Sequence, residues 1–221
     1  MSVNRTSAKT ILCYVTDRRS LPGASGASGA IERAIERAAS AGVDWIQVRE
    51  KDLEARALEA LVRRGIEICA GRSRLIVNGR LDVALAAGAT GVHLGEASLP
   101  VPRVSAWRAA AGRPEFSIGV SCHSQQAAQA AESGGADYVF FGPVFSTPSK
   151  ASFGEPQGLE RLASVCRAVK IPVLAIGGVI ESNAENCLAA GAAGIAAIGM
   201  FQREGDLAAI VRRLRGPSSA K

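Results

Sequence analysis

The sequence predicts a single-domain (β/α)8 TIM barrel, and three observations carry that expectation. Apolar strand-like runs alternate with stretches of helical periodicity along almost the whole chain, eight of each. A unit made of a helix end rich in small residues, a glycine and a strand recurs at Gly42, Gly88, Gly134-Gly135 and Gly191, with a period of about 46 to 56 residues, or two βα units. Hydrophobic residues make up 48% of the 221 positions and aromatics only 5%, so Ala, Val, Leu and Ile dominate, as stacked strands and helices require. An open doubly wound sheet is the competing architecture. The turn after the first strand, Thr16-Asp17-Arg18-Arg19, lacks the G-x-G-x-x-G that a dinucleotide site in such a sheet would need.

Taken in order, residues 1–10 are a polar tail with no apolar signal core behind it, and 11–215 form the barrel. Ile11-Leu-Cys-Tyr-Val15 is the first strand, and Gly23-Ala-Ser-Gly-Ala-Ser-Gly29 behind it reads as a flexible, low-complexity loop. Helix 30–41 then leads to strand 44–50, helix 54–69 to strand 74–78, and helix 81–87 to strand 91–94. Helix 102–111 leads to strand 116–122, helix 124–133 to strand 138–144, helix 159–168 to strand 172–176, and helix 182–190 to strand 194–198. A last helix covers 205–214, and 216–221 are a second tail. The glycines of the repeat are natural helix C-terminal caps.

Charge and cysteine usage narrow the class of function. No run reaches the ~18 apolar residues of a membrane helix, which makes a cytoplasmic protein without a membrane partner the expectation. The net charge of +6 comes from dispersed sites such as Arg18-Arg19, Arg63-Arg64 and Arg212-Arg213. Without aromatic interleaving this is no nucleic-acid surface, and small anionic substrates account for it better. Five cysteines, odd in number and without a C-x-x-C pair, read as reduced thiols. Nothing in the sequence fixes the oligomeric state.

The polar residues gather where such barrels place their sites, at the C-terminal ends of the strands. Phe141-Gly-Pro-Val-Phe-Ser-Thr147-Pro-Ser149-Lys150 combines hydroxyl donors with a point charge after an apolar run, and Gly154 and Gly158 keep the next loop pliable. That is a combination suited to a phosphorylated ligand, although a plain surface turn uses the same residue types. In Trp45-Ile-Gln47-Val-Arg49-Glu-Lys51, two-residue alternation turns Ile46 and Val48 outward and puts Gln47, Arg49 and Lys51 on the other face. An Arg and a Gln aimed into a barrel need partners or a ligand, and an ion pair of Arg49 with Glu50 or a neighbouring carboxylate is the ordinary structural alternative. Asn78 ends the third strand and equally suits an Asn78-Gly79 turn. His93 and Glu96 follow the fourth strand. With two histidines in the chain a His-rich metal site is excluded, and His93 reads as a hydrogen-bonded packing residue. Ser121 and His123 share a face, and His123 is the proton carrier to expect near neutral pH unless it is a structural loop residue. Gly177-Gly178 and the Ile198-Gly199 turn match the phosphate site that many barrels build from their last two loops. Two anion sites emerge, one at Gly177, Gly178, Ile198 and Gly199, the other at Arg49, Lys51, Asn78 and Lys150. They imply two phosphorylated substrates, or one with two anionic ends.

Tyr14-Val-Thr-Asp17, Gln47-Val-Arg-Glu-Lys51, Val92-His-Leu-Gly95, Ile118-Gly-Val-Ser121, Ala136-Asp-Tyr-Val139, Phe141-Gly-Pro143, Thr147-Pro-Ser-Lys150 and Ala175-Ile-Gly-Gly178 form an ordered set over about residues 11–202. As a set it resembles the thiamine phosphate synthases and their relatives, the thiazole tautomerases, whose fold is a (β/α)8 barrel. For a synthase the resemblance implies condensation of hydroxymethylpyrimidine diphosphate with thiazole phosphate to thiamine phosphate and pyrophosphate. Gln47, Arg49, Lys51, Asn78 and Lys150 would hold the pyrimidine diphosphate. Thr147, Ser149, Gly178, Ile198 and Gly199 would hold the thiazole phosphate, and Lys150, Ser121 and His123 would serve catalysis. The synthases of the family carry Mg2+-binding Asp residues at the positions of Gly79 and Ser98. Their absence here resembles the tautomerase branch, in which the residue matching His123 moves a proton on a thiazole carboxylate phosphate. Glu96, in the same loop, is the substitute Mg2+ ligand to test, whereas Asp82 reads as a helix-start residue. A thiazole-phosphate-binding regulator without catalysis is the remaining alternative.

Overall fold

The structure, a computed structural model, describes residues 9–22, 29–95, 98–147 and 155–216. Eight parallel strands close into a barrel in sequence order: β1 Ile11–Val15, β2 Trp45–Val48, β3 Arg74–Asn78, β4 Gly91–Leu94, β5 Ser117–Cys122, β6 Tyr138–Phe141, β7 Val173–Ile176 and β8 Gly194–Ala197. The closure is β1 against β8, with Ile11 opposite Gly194 and Tyr14 opposite Ala197. The predicted barrel is therefore the one formed, and the open doubly wound sheet is excluded.

The helices are α1 Ala30–Ser40, α2 Ala55–Cys69, α3 Leu81–Ala87, α4 Val101–Ala110, α5 Gln125–Ser133, α6 Gly158–Ala168, α7 Glu181–Ala189, α8 Gly199–Gln202 and α9 Leu207–Arg215. Their apolar spacing explains how they lie. In α1 the buried residues are Ile31, Ile35, Ala38 and Ala39, one stripe at helical period. In α2, Gly65 lets the helix approach β3 so closely that a Cβ there would sit 3.2 Å from Leu75 Cδ1. Ser124 caps α5 by accepting from the Ala127 N–H, and Asp206 caps α9 by accepting from that of Ala209. No helix among the described residues is long and apolar enough to cross a membrane.

Alternation along the strands sorts side chains into two sets. Leu12, Tyr14, Ile46, Val48, Val92, Val139 and Phe141 pack outward under the helices. Cys13, Val15, Ile76, Tyr138, Phe140, Leu174 and Ala196 fill the interior. All five cysteines are buried and none forms a disulfide, as the reading of reduced thiols requires.

The structure corrects several boundaries. β2 stops at Val48 rather than residue 50, because Glu50 is drawn back to the β1 loop. β6 stops at Phe141 rather than 144, where Gly142 runs so close to β7 that a Cβ would lie 2.0 Å from Ile176 O. Gly158 is the first residue of α6, not part of a pliable loop. Two short elements escape the sequence reading: a 3-10 turn at Arg18–Ser20 and the four-residue α8 between β8 and the last helix.

Candidate active site

The interior strand positions become polar toward the C-terminal ends. Gln47 on β2, Asn78 on β3, His93 on β4 and Ser121 on β5 are the next inward positions after Trp45, Ile76, Gly91 and Gly119. Gln47 is 2% exposed, and its Nε2 donates to Asn78 Oδ1 at 2.9 Å. Its Oε1 is buried with no hydrogen-bond partner. A buried acceptor left open costs about 1–3 kcal/mol, so this oxygen is aimed at a ligand N–H or an ordered water rather than at an anion.

Beside it, His93 is fully enclosed, with Nε2 2.9 Å from Ser121 Oγ and Nδ1 3.3 Å from Tyr138 OH. Burial pushes its pKa down to about 3, which keeps the ring neutral. His93 is thus the packing histidine that the sequence suggested, and it orients Ser121. His123 follows β5 and is half-buried. Its Nδ1 is hydrogen-bonded to the Gly142 carbonyl oxygen. A carbonyl only accepts, so Nδ1 carries a proton, and in the neutral ring Nε2 is the basic nitrogen.

Above this floor stands the Arg49 to Asp52 segment. The Arg49–Glu50 ion pair, the ordinary structural alternative, does not form. Glu50 Oε1 instead accepts from Thr16 Oγ1 at 2.6 Å, and its carboxylate takes the Arg18 backbone N–H and Nη1 at 3.2 Å. Asp52 receives Arg18 at 2.5 and 2.6 Å and Arg19 at 2.6 Å, and these guanidiniums hold its pKa well below the usual carboxylate range. The Arg49 and Lys51 side chains, by contrast, have no carboxylate partner among the described residues.

On the opposite rim the loop after β6 runs against the loop after β7. Val144 and Phe145 donate their N–H groups to Ile176 and Gly177 carbonyls. Gly177 and Gly178 have φ of 90° and 66°, and a Cβ on Gly178 would lie 2.5 Å from Ser146 O. Both positions therefore require glycine, and their bare backbone lets Pro143, Phe145 and Ser146 pack against the Gly177-Gly178 turn. Ile198 precedes α8, and a Cβ on Gly199 would meet nothing within 4 Å, so that turn is open. Ser149, Lys150, Gly154 and Glu96 lie outside the described residues, as does most of the Gly23–Gly29 loop.

For a divalent cation the donor set is poor. Among the described residues no three His, Cys, Asp or Glu side chains converge. Gly79 and Ser98 are neighbours, since a Cβ on Gly79 would be 3.6 Å from Ser98 Oγ, yet neither carries a carboxylate. The Ser98 hydroxyl accepts the Gly95 N–H at 2.9 Å. Asp82 is 66% exposed, belongs to the first turn of α3 and is bound by Arg80 at 2.9 and 2.6 Å. These residues do not fit a protein-held Mg2+.

Sequence reasoning passed over Thr16, Arg18, Asp52 and Gln202. A buried glutamine in an otherwise apolar helix was the one available signal, but a four-residue helix has no periodicity against which Gln202 would stand out.

The TMP-TENI family model, described as thiamine monophosphate synthase, matches residues 12–201. The thiamine-phosphate synthase of Methanoculleus marisnigri is 46% identical over 180 residues, covering 80% of this chain and 83% of that one. That of Moorella thermoacetica is 44% identical over 183 residues, covering 82% and 85%. Among solved structures, thiamine phosphate pyrophosphorylase from Pyrococcus furiosus superimposes with a TM-score of 0.77 at 33% identity, covering 93% of each chain. A barrel with this ordered set of motifs, matched over nearly its whole length, belongs to the thiamine monophosphate synthase family.

Proposed function

We propose that the protein is a thiamine-phosphate synthase, a transferase that joins hydroxymethylpyrimidine diphosphate to thiazole phosphate and releases pyrophosphate. The observation that carries this reading is the open Gln47 Oε1, buried in the barrel mouth beneath Arg49 and Lys51, which have no carboxylate partner among the described residues. An aminopyrimidine diphosphate satisfies both, with its amino group donating to Gln47 and its phosphates meeting the two cations. The thiazole phosphate is assigned to Thr147, Ser149, Gly178 and the Ile198-Gly199 turn, and Lys150 to the pyrimidine diphosphate with Arg49 and Lys51.

In the reaction the bond between the pyrimidine methylene carbon and the diphosphate oxygen breaks, and both electrons leave with the pyrophosphate. The thiazole nitrogen then supplies its lone pair to the methylene carbon, giving the thiazolium product without a proton transfer. The work of the chain is to hold nitrogen and carbon in line and to stabilise the leaving charge. The family is generally Mg2+-dependent. The described residues offer no ligand set for the ion, and no step here is assigned to it.

A second reading, thiazole tautomerase, is favoured by the bare Gly79 and Ser98 positions and by the basic Nε2 of His123. One assay separates them. Purified protein with both substrates and Mg2+, followed by mass spectrometry, is expected to form thiamine phosphate, and Arg49→Ala to lose roughly a hundredfold in kcat/KM. No thiamine phosphate from folded protein, together with isomerisation of thiazole carboxylate phosphate that His123→Asn abolishes, would transfer the assignment.

A further inference from the structure

We propose that Glu50 and Gln202 are positioning residues that set the diphosphate-binding segment from behind, through the Arg18–Ser20 turn. The proposal rests on the diphosphate reading of Arg49 and Lys51. The local sequence Arg49-Glu50-Lys51-Asp52 alternates cation and anion, and left to itself it would neutralise internally. The fold prevents this. Arg18 occupies both Glu50 and Asp52, and Arg19 adds to Asp52. Two cations and two anions are thereby tied off behind the site, which leaves Arg49 and Lys51 as excess positive charge.

The tie also fixes backbone. Thr16, fully buried, donates its hydroxyl to Glu50 and accepts the Arg49 N–H on the same oxygen at 2.9 Å. Position 49 is therefore anchored to the Glu50 carboxylate through the Thr16 hydroxyl. The turn that carries Arg18 is anchored in its own right by Gln202 of α8, which is 4% exposed. Gln202 Nε2 donates to Tyr14 OH at 3.0 Å and to the Asp17 carbonyl at 2.9 Å, and its Oε1 accepts from Ser20 Oγ at 2.8 Å. Every polar atom of both side chains is engaged with protein, so neither residue is available to a ligand. A fully satisfied buried polar network defines one geometry where an apolar cluster would allow several. Position is thus relayed from α8 through Asp17 to Ser20, then through Arg18 to Glu50, Thr16 and Arg49.

The test reads affinity for inorganic pyrophosphate by calorimetry, with thermal unfolding in parallel. In Glu50→Gln, charge alone predicts tighter pyrophosphate binding, because a nearby negative charge is removed. Positioning predicts the opposite, a loss of about tenfold. Gln202→Met, neutral and remote from Arg49, is expected to lose about fivefold. Ser20→Ala, which removes one exposed hydroxyl and endangers no fold, is expected to lose about two- to threefold and reads the same joint should Gln202→Met fail to fold. Leu214→Ala, a buried residue of α9 outside the network, is the control for lost stability and is expected to leave pyrophosphate affinity unchanged. Equal or tighter binding in Glu50→Gln, or unchanged affinity in Ser20→Ala and Gln202→Met, overturns the proposal. Wild-type protein that binds pyrophosphate but makes no thiamine phosphate would defeat the synthase reading and leave this proposal to its own variants. Wild-type protein that does not bind pyrophosphate defeats the diphosphate site and the proposal with it.

Discussion

Two small residues decide what the mouth of this barrel can ligate. Gly79 is in the left-handed region at φ 72°, and its missing Cβ would lie 3.6 Å from Ser98 Oγ. Side chains at the two positions would converge, and Asp is among the few residues that accept a left-handed backbone. The double variant Gly79→Asp/Ser98→Asp is therefore expected to bind Mn2+ at least tenfold more tightly than the wild-type protein in a calorimetric titration. The strain at position 79 should cost about 1 kcal/mol of stability. If Mn2+ affinity does not rise, the two positions are not a ligand pair in this chain. Gln47 illustrates the same scale differently, since one unpaired buried oxygen restricts the ligand more sharply than the charges of Arg49 and Lys51 above it.

At the scale of elements, the pairing of β4, β5 and β6 places a neutral histidine between two hydroxyls. Gly119 makes this possible, because a Cβ there would lie 2.0 Å from the Tyr138 ring carbon that bears the hydroxyl. Burial lowers the His93 pKa from 6.5 to about 3. Between these two values the unfolded chain binds a proton that the folded chain refuses. The stabilisation by His93 is therefore complete above pH 6.5 and is lost progressively as the pH falls toward 3, at up to about 1.4 kcal/mol per pH unit. Urea unfolding at pH 7, 6 and 5 is expected to show this slope in the wild-type protein and a shallower one in His93→Gln. Identical slopes would mean that His93 is protonated in the folded state.

Over the whole molecule, stability depends on closing β8 against β1. Gly194 lies opposite Ile11, and an added Cβ would be 2.1 Å from Ile11 O, within backbone that cannot move aside without opening the barrel. Gly194→Ala is expected to lower the urea midpoint by the equivalent of about 2–3 kcal/mol, the cost of overpacking a rigid site. A change below ~0.5 kcal/mol, the range of ordinary surface substitutions, would show that the seam is compliant. The same seam bears on the site, because the Gln202 to Tyr14 hydrogen bond crosses it from the last strand's helix to the first strand. Loosening at Gly194 should therefore also weaken pyrophosphate binding.

The amino-acid sequence by itself determined the alternation of strands and helices, the count of eight strands, and the inward placement of Gln47. These follow from periodicities of 2 and 3.6 residues, which are written locally and need no partner to be read; Asn78 was legible only as a strand end and Ser121 only as sharing a face with His123. Local pattern also identified Asp82 as a helix-start residue and His93 as a packing residue. It reached its limit at Glu50. Next to Arg49 in sequence, Glu50 is bound instead to Thr16 and Arg18, more than thirty positions away. It reached the same limit at Gln202, whose partner Tyr14 is 188 positions distant. Only the tertiary structure decided which charges are tied off behind the site and which are left at its mouth. The choice among several competent partners is made by strand register and barrel closure, and no stretch of neighbouring residues contains either.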